Sequence, residues 1–174
     1  MKIKKLSNQG SVPAWILLGM GLILSGAVNA GPRIAVLNFE LNDITSLPNT
    51  PGERVRTASI KPLLEQAIGQ AGDYEIIPVD IEAQAAANAG FGYLYTFHDS
   101  AAELARQSGA DWVIVGQHSK PSFLFSYLMA YLVNVKNPAL SARYAIELKG
   151  NHEKVTRRGV KALAKKIDAT INRM

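Results

Sequence analysis

Two short apolar runs constrain the fold of this chain more than any other feature. The first, residues 33–41, is opened by Gly-Pro and closed by Asn-Asp, and the second, residues 111–115, ends at Gly116. Short apolar runs bounded by turn residues are typical of strands buried on both faces of a sheet. We therefore predict that the first run is a central strand and that Gly116 breaks the second.

The sequence between these runs alternates helical and strand patterns. Apolar residues recur at helical spacing over residues 60–71, and Pro62 predicts a separate turn or kinked segment at residues 53–59. A short strand is predicted at residues 74–78. The alanine-rich residues 80–89 predict a helix capped by Asp80, and a further helix follows, capped by Asp99 or Ser100 and ending at Ser108-Gly109.

Residues 123–135 are ambiguous, because their aromatic residues recur four apart, as on a helix, while the apolar residues also alternate, as on a strand. Turn residues on both sides and a second strand-like run at 140–148 favour a strand. A last helix is predicted after Asn151, which can cap it. Its apolar stripe consists of Val160, Leu163, Ile167, Ile171 and Met174.

Together these elements predict an α/β (α+β) fold: a mixed sheet of about five strands with helices packed on it, in the order β-α-β-α-(α)-β-β-β-α. The βα units favour parallel pairing, and the final strands favour an antiparallel hairpin or meander.

The first thirty residues are predicted to be a signal peptide and no part of the fold. They begin with three lysines, continue through an uncharged segment at 12–28, and end in Val28-Asn29-Ala30. Small residues at these positions are typical of a cleavage site. An uncleaved membrane anchor is the alternative, but glycine and serine shorten the apolar run below the ~20 residues that a spanning helix needs. We expect cleavage after Ala30, a single domain at 31–174 and a periplasmic location.

Charge and cysteine content narrow the classes of function. The chain has no cysteine, which excludes disulfides, thiolate catalysis, zinc-thiolate sites and a cysteine-linked lipid. Residues 152–174 hold seven basic and two acidic side chains, whereas residues 31–151 hold nine basic and twelve acidic ones. The basic helix face comprises Lys154, Arg157, Arg158, Lys161, Lys165 and Lys166. Export argues against nucleic acid as a partner, so we expect a solvated face, with an acidic partner protein as the alternative.

No motif in the sequence indicates a reaction or a cofactor. Phosphate loops, dinucleotide fingerprints, nucleophile elbows and zinc motifs are absent. His98 and His118 are far apart in sequence, and a small hydrolase or metal-dependent enzyme would need folding to gather them with carboxylates such as Asp43, Asp80, Asp99 or Asp111. We therefore expect no metal, no cofactor and no catalytic residues, with that enzyme class as the rival.

The aromatic strand is the predicted partner surface. A long strand with large side chains can form an exposed edge that pairs with another chain. Phe125, Tyr127 and Tyr131 are the candidate contact residues, because large aromatic side chains provide much contact area and the tyrosine hydroxyl tolerates a wet interface. The expected partner is another periplasmic or membrane-associated protein, or a second copy of this chain.

Three segments carry a resemblance to known proteins: residues 33–40 (RIAVLNFE), residues 108–116 (SGADWVIVG) with Ser119-Lys120, and residues 147–151 before the basic helix. The chain resembles an uncharacterised family of exported Gram-negative proteins. It is more distantly similar to the amino-terminal domain of the Tol-system translocation protein and to the curli-secretion lipoprotein. The resemblance implies a periplasmic α/β module that makes contacts between proteins.

Overall fold

A mixed sheet of six strands organises the described part of the chain. The computed structural model describes residues 31–138, 140–150 and 152–174. The strands are β1 (Arg33–Val36), β2 (Glu40–Asp43), β3 (Glu75–Ile77), β4 (Trp112–Lys120), β5 (Phe125–Asn134) and β6 (Leu140–Lys149). Their order is β3-β1-β4-β5-β6, with β2 paired to the far part of β4. Pairing is parallel among β1, β2, β3 and β4 and antiparallel from β4 to β6.

Helices cover both faces of this sheet and enclose two apolar cores. They are α1 (Pro51–Ala58), α2 (Ile60–Ala71), α3 (Ile81–Ala87), α4 (Tyr93–Thr96), α5 (His98–Gln107) and α6 (His152–Ile171). The α2 and α6 helices pack on one face, around Ile114, Leu128 and Leu163. The three helices α3 to α5 pack on the other face, around Val113 and Leu104. The predicted α/β class with a mixed sheet and packed helices is confirmed.

Local sequence signals correctly predicted several helix ends. The predicted separate segment before Pro62 is α1, which ends at Ala58 next to the start of α2. The predicted cap of α3 is formed by Asp80, whose Oδ2 accepts a hydrogen bond from the Ala83 backbone N–H at 2.8 Å. The short α4 was not predicted. The predicted cap at Asp99 or Ser100 is wrong, because α5 begins at His98 without a side-chain cap and both residues lie in its first turn.

The prediction of one strand over residues 33–41 is wrong, because the run forms two strands. Val36 pairs with Ile114 and Glu40 pairs with Gln117, so four steps along this run match three along β4. The extra residue interrupts the ladder in the manner of a β-bulge. It places Phe39 over β4, where its ring fills the space above Gly116.

The prediction that Gly116 breaks the strand is also wrong. The β4 strand continues through it to Lys120. A side chain at Gly116 would overlap the ring of Phe39, so this glycine serves a close approach rather than a turn. His118 and Ser119 therefore lie inside a strand, and their side chains point to opposite faces.

The strand interpretation of residues 123–135 is confirmed by β5, in which Ser126, Leu128, Ala130 and Leu132 are buried on the face towards α2 and α6. The stripe of the last helix is buried except at Met174, which lies beyond the end of α6 and is exposed. The predicted cap Asn151 and the predicted signal peptide at 1–30 lie outside the described residues.

Candidate functional site

A buried cluster of charged side chains lies at the end of the sheet where β2 and β4 finish. Lys120 Nζ is 3.1 Å from Glu53 Oε1 and 3.7 Å from Asp43 Oδ2. All three side chains are buried. Because Asp43 ends β2, Glu53 belongs to α1 and Lys120 ends β4, these ion pairs fix α1 and the preceding loop to the sheet.

Hydrogen bonds complete the environment of both carboxylates. Asp43 accepts from the backbone N–H groups of Thr45 and Asn49, each at 3.1 Å, and from the Thr45 hydroxyl at 2.7 Å. Burial alone would raise the pKa of Asp43, but these bonds and the charge of Lys120 hold that pKa below its usual value. Burial opposes ionisation of Glu53 in the same way, and the hydrogen bond to Lys120 and the charge of Arg56 lower its pKa. Both groups are therefore ionised and paired at neutral pH.

His118 lies beside the ion pairs in a chain of hydrogen bonds with a defined direction. The Thr57 hydroxyl donates to the Glu53 carbonyl at 2.8 Å, so it accepts from His118 Nδ1, also at 2.8 Å. That assignment leaves His118 Nε2 to accept from the Ser126 hydroxyl at 3.0 Å. Burial and the charge of Arg56 lower the pKa of His118 to about 4, so the imidazole is neutral at pH 7.

The Ser126–His118 pair is poorly suited to hydrolysis. The third group in this hydrogen-bonded chain is the Thr57 hydroxyl. A nucleophilic triad has a carboxylate in this position, which stabilises the imidazolium. A base with a pKa of about 4 is weak at neutral pH. Ser126 and His118 are both almost completely buried. The arrangement acts as a rigid polar core that holds α1, β4 and β5 together.

A groove opens beside this cluster, between α1 and α2 on one side and α6 on the other. Its volume is about 620 Å³. Arg56 crosses its floor, with Nε donating to Thr156 Oγ1 at 2.9 Å. His152 Nδ1 lies 3.7 Å from Glu53 Oε1 at the start of α6. A smaller pocket of about 200 Å³ adjoins it at the turn between β4 and β5, lined in part by Lys120, Phe123 and Leu124.

Large apolar side chains are exposed at this same end of the sheet. We call this region, comprising the loop 44–50, α1 and the turn 121–124, the loop end. Its exposed apolar residues, between 56% and 82% accessible, are Ile44, Leu47, Val55, Phe123 and Leu124. The Ile44 backbone N–H donates to the Lys120 carbonyl at 3.2 Å, which joins the two loops. Lys120 Nζ lies 5.4 Å from the centre of the Phe123 ring, so the buried charges support the exposed aromatic residue.

The predicted contact residues all lie on β5, but β5 is not an edge strand. It pairs with β4 on one side and with β6 on the other, and β6 forms the edge. Phe125, Tyr127 and Tyr131 are half-buried. The Tyr131 ring stacks on Tyr95 of α4 at 4.3 Å. The premise of an exposed edge at residues 121–138 is therefore wrong, while the role of these side chains in binding stays a prediction.

The basic residues predicted for the last helix all lie on its exposed side: Lys154, Arg157, Arg158, Lys161, Lys165 and Lys166. Arg157 pairs with Glu153 at 3.3 Å, one turn earlier in α6. Arg157 and Lys161 also line the continuation of the groove between α2 and α6.

The two histidines of the rival enzyme hypothesis lie on opposite faces of the sheet. His118 faces α1 within the polar cluster, whereas the His98 ring packs edge-on against Tyr131 at 5.0 Å, among the α3 to α5 helices. Within residues 31–138, 140–150 and 152–174, no three His, Asp or Glu side chains come together as metal ligands would. His98 and His118 therefore do not form a shared site.

Sequence reasoning missed the ion pairs of Lys120, because Asp43 was considered only as a partner of the histidines and Glu53 and Lys120 were not considered as site residues. The sequence does contain one signal for Lys120. It continues the alternation of Trp112, Ile114, Gly116 and His118, whose positions face the same core. Treating Gly116 as the end of the strand concealed that pattern, and the carboxylates lie in segments that sequence alone does not connect to it.

This chain belongs to the DUF3280 family, described as "Protein of unknown function (DUF2380)", whose model matches residues 32–167. The resemblance to an uncharacterised family is thereby confirmed. No curated protein matches the sequence. None of the helices in the described ranges is both long and apolar enough to cross a membrane.

The fold is similar to that of several solved structures. Lipoprotein GNA1162 from Neisseria meningitidis has 15% identity and a TM-score of 0.51, and the match covers 78% of this chain and 95% of that one. The PelC dodecamer from Paraburkholderia phytofirmans has 16% identity and a TM-score of 0.50, covering 82% and 88%. TolB from Acinetobacter baumannii has 15% identity and a TM-score of 0.50, covering 80% of this chain and 28% of TolB. At these identities the likeness concerns the fold.

Proposed function

We propose that this protein is a non-enzymatic binding or assembly module of the cell envelope, exported to the periplasm, and that its loop end contacts another envelope protein. The observation that carries the proposal is the group of exposed apolar side chains at the loop end, around a groove and above a rigid polar core. Apolar side chains gathered at one place on a surface are typical of a protein contact.

The chemistry of the loop end supports contact over catalysis. Its buried carboxylates are ion-paired with Lys120, and its histidine is neutral and enclosed by hydroxyls. A catalytic site needs titratable groups that face a cleft and can reach a substrate. The preorganised support instead favours binding, because little conformational freedom is lost when a rigid surface meets its partner.

The similar structures also support a binding or assembly role. One similar structure is a lipoprotein and another is a dodecamer. Both agree with a module that works at the envelope or within an assembly, and they bear on this chain by analogy of fold.

The proposed contact residues are those that the structure exposes. Phe123 and Leu124 form the centre of the proposed contact surface. The half-buried Phe125 lines the adjoining pocket together with them. Tyr127 continues the same face of β5, with its hydroxyl 3.4 Å from Glu147. Tyr131 lies farther from the loop end, against α4, and belongs to the periphery of the surface.

Site-specific photo-crosslinking in the native cells tests the proposal. A photoreactive residue at position 124 should give an adduct of one defined mass, and the same residue at Leu140, which is exposed at the start of β6, should not. The double substitution Phe123→Ser/Leu124→Ser should weaken the interaction by about 2 kcal/mol or more, as truncation of hot-spot residues does. The matched change Leu140→Ser should have no effect.

Two results would contradict the proposed contact at the loop end. Identical adducts from positions 124 and 140 would indicate random collision. Absence of any adduct at 124, with the protein folded and at its natural level, would indicate that the loop end binds no protein.

A further inference from the structure

The charges of this chain are separated by sequence segment. Residues 62–105 contain seven acidic side chains and no lysine or arginine. Residues 154–166 contain six basic side chains and no acidic one. A stretch of one sign creates a single-sign field at the surface, which can steer a partner of opposite charge.

In the folded protein, these two segments form two oppositely charged faces. The α3 to α5 helices, which we call the acidic layer, carry four exposed carboxylates: Asp80, Glu82, Asp99 and Glu103. Arg106 is the single basic residue of these helices, and it pairs with Glu103 at 2.7 Å. The basic face of α6 lies on the opposite side of the sheet, because α6 packs on one core and the acidic layer on the other.

The carboxylates of α6 neutralise only part of its basic face. Glu153 is engaged by Arg157, and Asp168 Oδ1 accepts hydrogen bonds from the Tyr74 hydroxyl at 2.7 Å and from the Asn172 amide at 2.9 Å. The sheet separates the basic face from the acidic layer of the same molecule. A second copy of this chain would offer a surface of opposite charge to each face.

The acidic layer also provides apolar area for an interface. Ile81 of α3, Phe91 in the turn before α4 and Phe97 between α4 and α5 are 68%, 65% and 54% exposed. Apolar contacts supply most of the free energy of association, and complementary charge sets orientation and suppresses wrong partners.

We propose that α6 of one copy docks onto the acidic layer of the next, so that copies of this chain associate head to tail. Such a contact is heterologous, because different surfaces meet, and its repetition builds a ring if the rotation closes and a filament if it does not. The inference stands apart from the proposed contact at the loop end, since it uses two other surfaces.

Charge reversal tests the pairing of the two faces. The protein is purified from an exporting host, and its mass in solution is followed by sedimentation velocity over a range of concentrations. The first variant, Lys161→Glu/Lys165→Glu, makes both faces acidic at the contact. The second, Glu82→Lys/Asp99→Lys, makes both faces basic. We expect wild type to self-associate, each variant alone to be monomeric, and an equal mixture of the two to associate again.

A matched control and a salt series sharpen the test. Asp73→Lys/Glu75→Lys changes the net charge as much as the second variant, at exposed residues outside the acidic layer, and should associate like wild type. Between about 0.01 M and 0.15 M salt the Debye length falls from about 30 Å to about 8 Å, so association of wild type should weaken. Thermal unfolding of every variant confirms that it is folded.

Three outcomes would overturn the proposal. The first is a wild type that stays monomeric at low salt and high concentration. The second is a failure of the mixed variants to associate while each is folded. The third is binding of monomeric wild type to vesicles of anionic lipid through Lys161 and Lys165, which would assign the basic face to a membrane surface. Loss of the adduct at position 124 affects none of these measurements.

Discussion

At the scale of single residues, Lys120 is the most consequential side chain of the loop end. It lies at the end of a strand, points to the buried face and is held by two carboxylates from other elements. A buried ion pair adds little net stability when complete, because desolvation offsets the attraction, but removal of one partner leaves an uncompensated charge. Lys120 therefore acts as a constraint on the geometry of the two loops.

We predict that Lys120→Met lowers the free energy of unfolding by about 3 to 5 kcal/mol, because Asp43 and Glu53 lose their shared counterion in a buried site. Lys149→Met is the matched control. Lys149 pairs with Glu147 at 3.2 Å, but both side chains are largely exposed, so its loss should cost about 1 kcal/mol or less. Urea unfolding at pH 7 measures both. Equal effects would mean that the cluster is solvated rather than buried.

Among the helices and strands, α6 shows what sequence periodicity predicts and what it does not. The spacing of Val160, Leu163, Ile167 and Ile171 correctly predicted which side of the helix is buried. It did not show how closely the helix approaches the sheet. Gly159 permits that approach, since a side chain there would overlap Leu148 of β6. The same difference applies to β5, where alternation identified the strand but not its position between two others.

We predict that Leu163→Ala costs about 2 to 5 kcal/mol of stability, because Leu163 is fully buried between α6 and the sheet and its truncation leaves a cavity. Lys166→Ala, on the exposed side of the same helix, should change stability by about 0.5 kcal/mol or less. Thermal or urea unfolding compares them. If the two changes cost the same, the faces of α6 are assigned wrongly.

At the scale of the whole molecule, the two helical layers divide the surface into regions of different chemistry. The acidic layer covers one face of the sheet, the basic face of α6 lies over the other, and the exposed apolar residues of the loop end project where β2 and β4 finish. A molecule with three such surfaces can contact a partner at its end while its faces meet other copies. The proposed assembly and the proposed partner contact are thus geometrically compatible.

We predict that the exported protein begins at Gly31, because a basic start, an uncharged apolar segment and small residues before a cleavage point are typical of a signal peptide. Intact-mass measurement of the protein from the periplasmic fraction checks this. Recovery of the full chain from the membrane fraction would identify residues 1–30 as an anchor.

Local sequence patterns were enough to predict the α/β class, the presence of most helices and strands, and the buried side of α6. These features depend on neighbours within a few residues, where periodicity and capping act directly. Residues 33–41 and Gly116 mark the limit of such reasoning, because the bulge in the first run and the continuation of β4 both depend on Phe39 packing over Gly116.

The contacts between polar groups, in contrast, depend on the tertiary fold. The register of β2 against β4 places Asp43 beside Lys120, and the packing of α1 adds Glu53. The alternation of β4 sends His118 to one face, while α5 carries His98 over the other. Contacts of this kind join segments that are distant in sequence, so they depend on strand order and register. Local sequence patterns do not determine either of these.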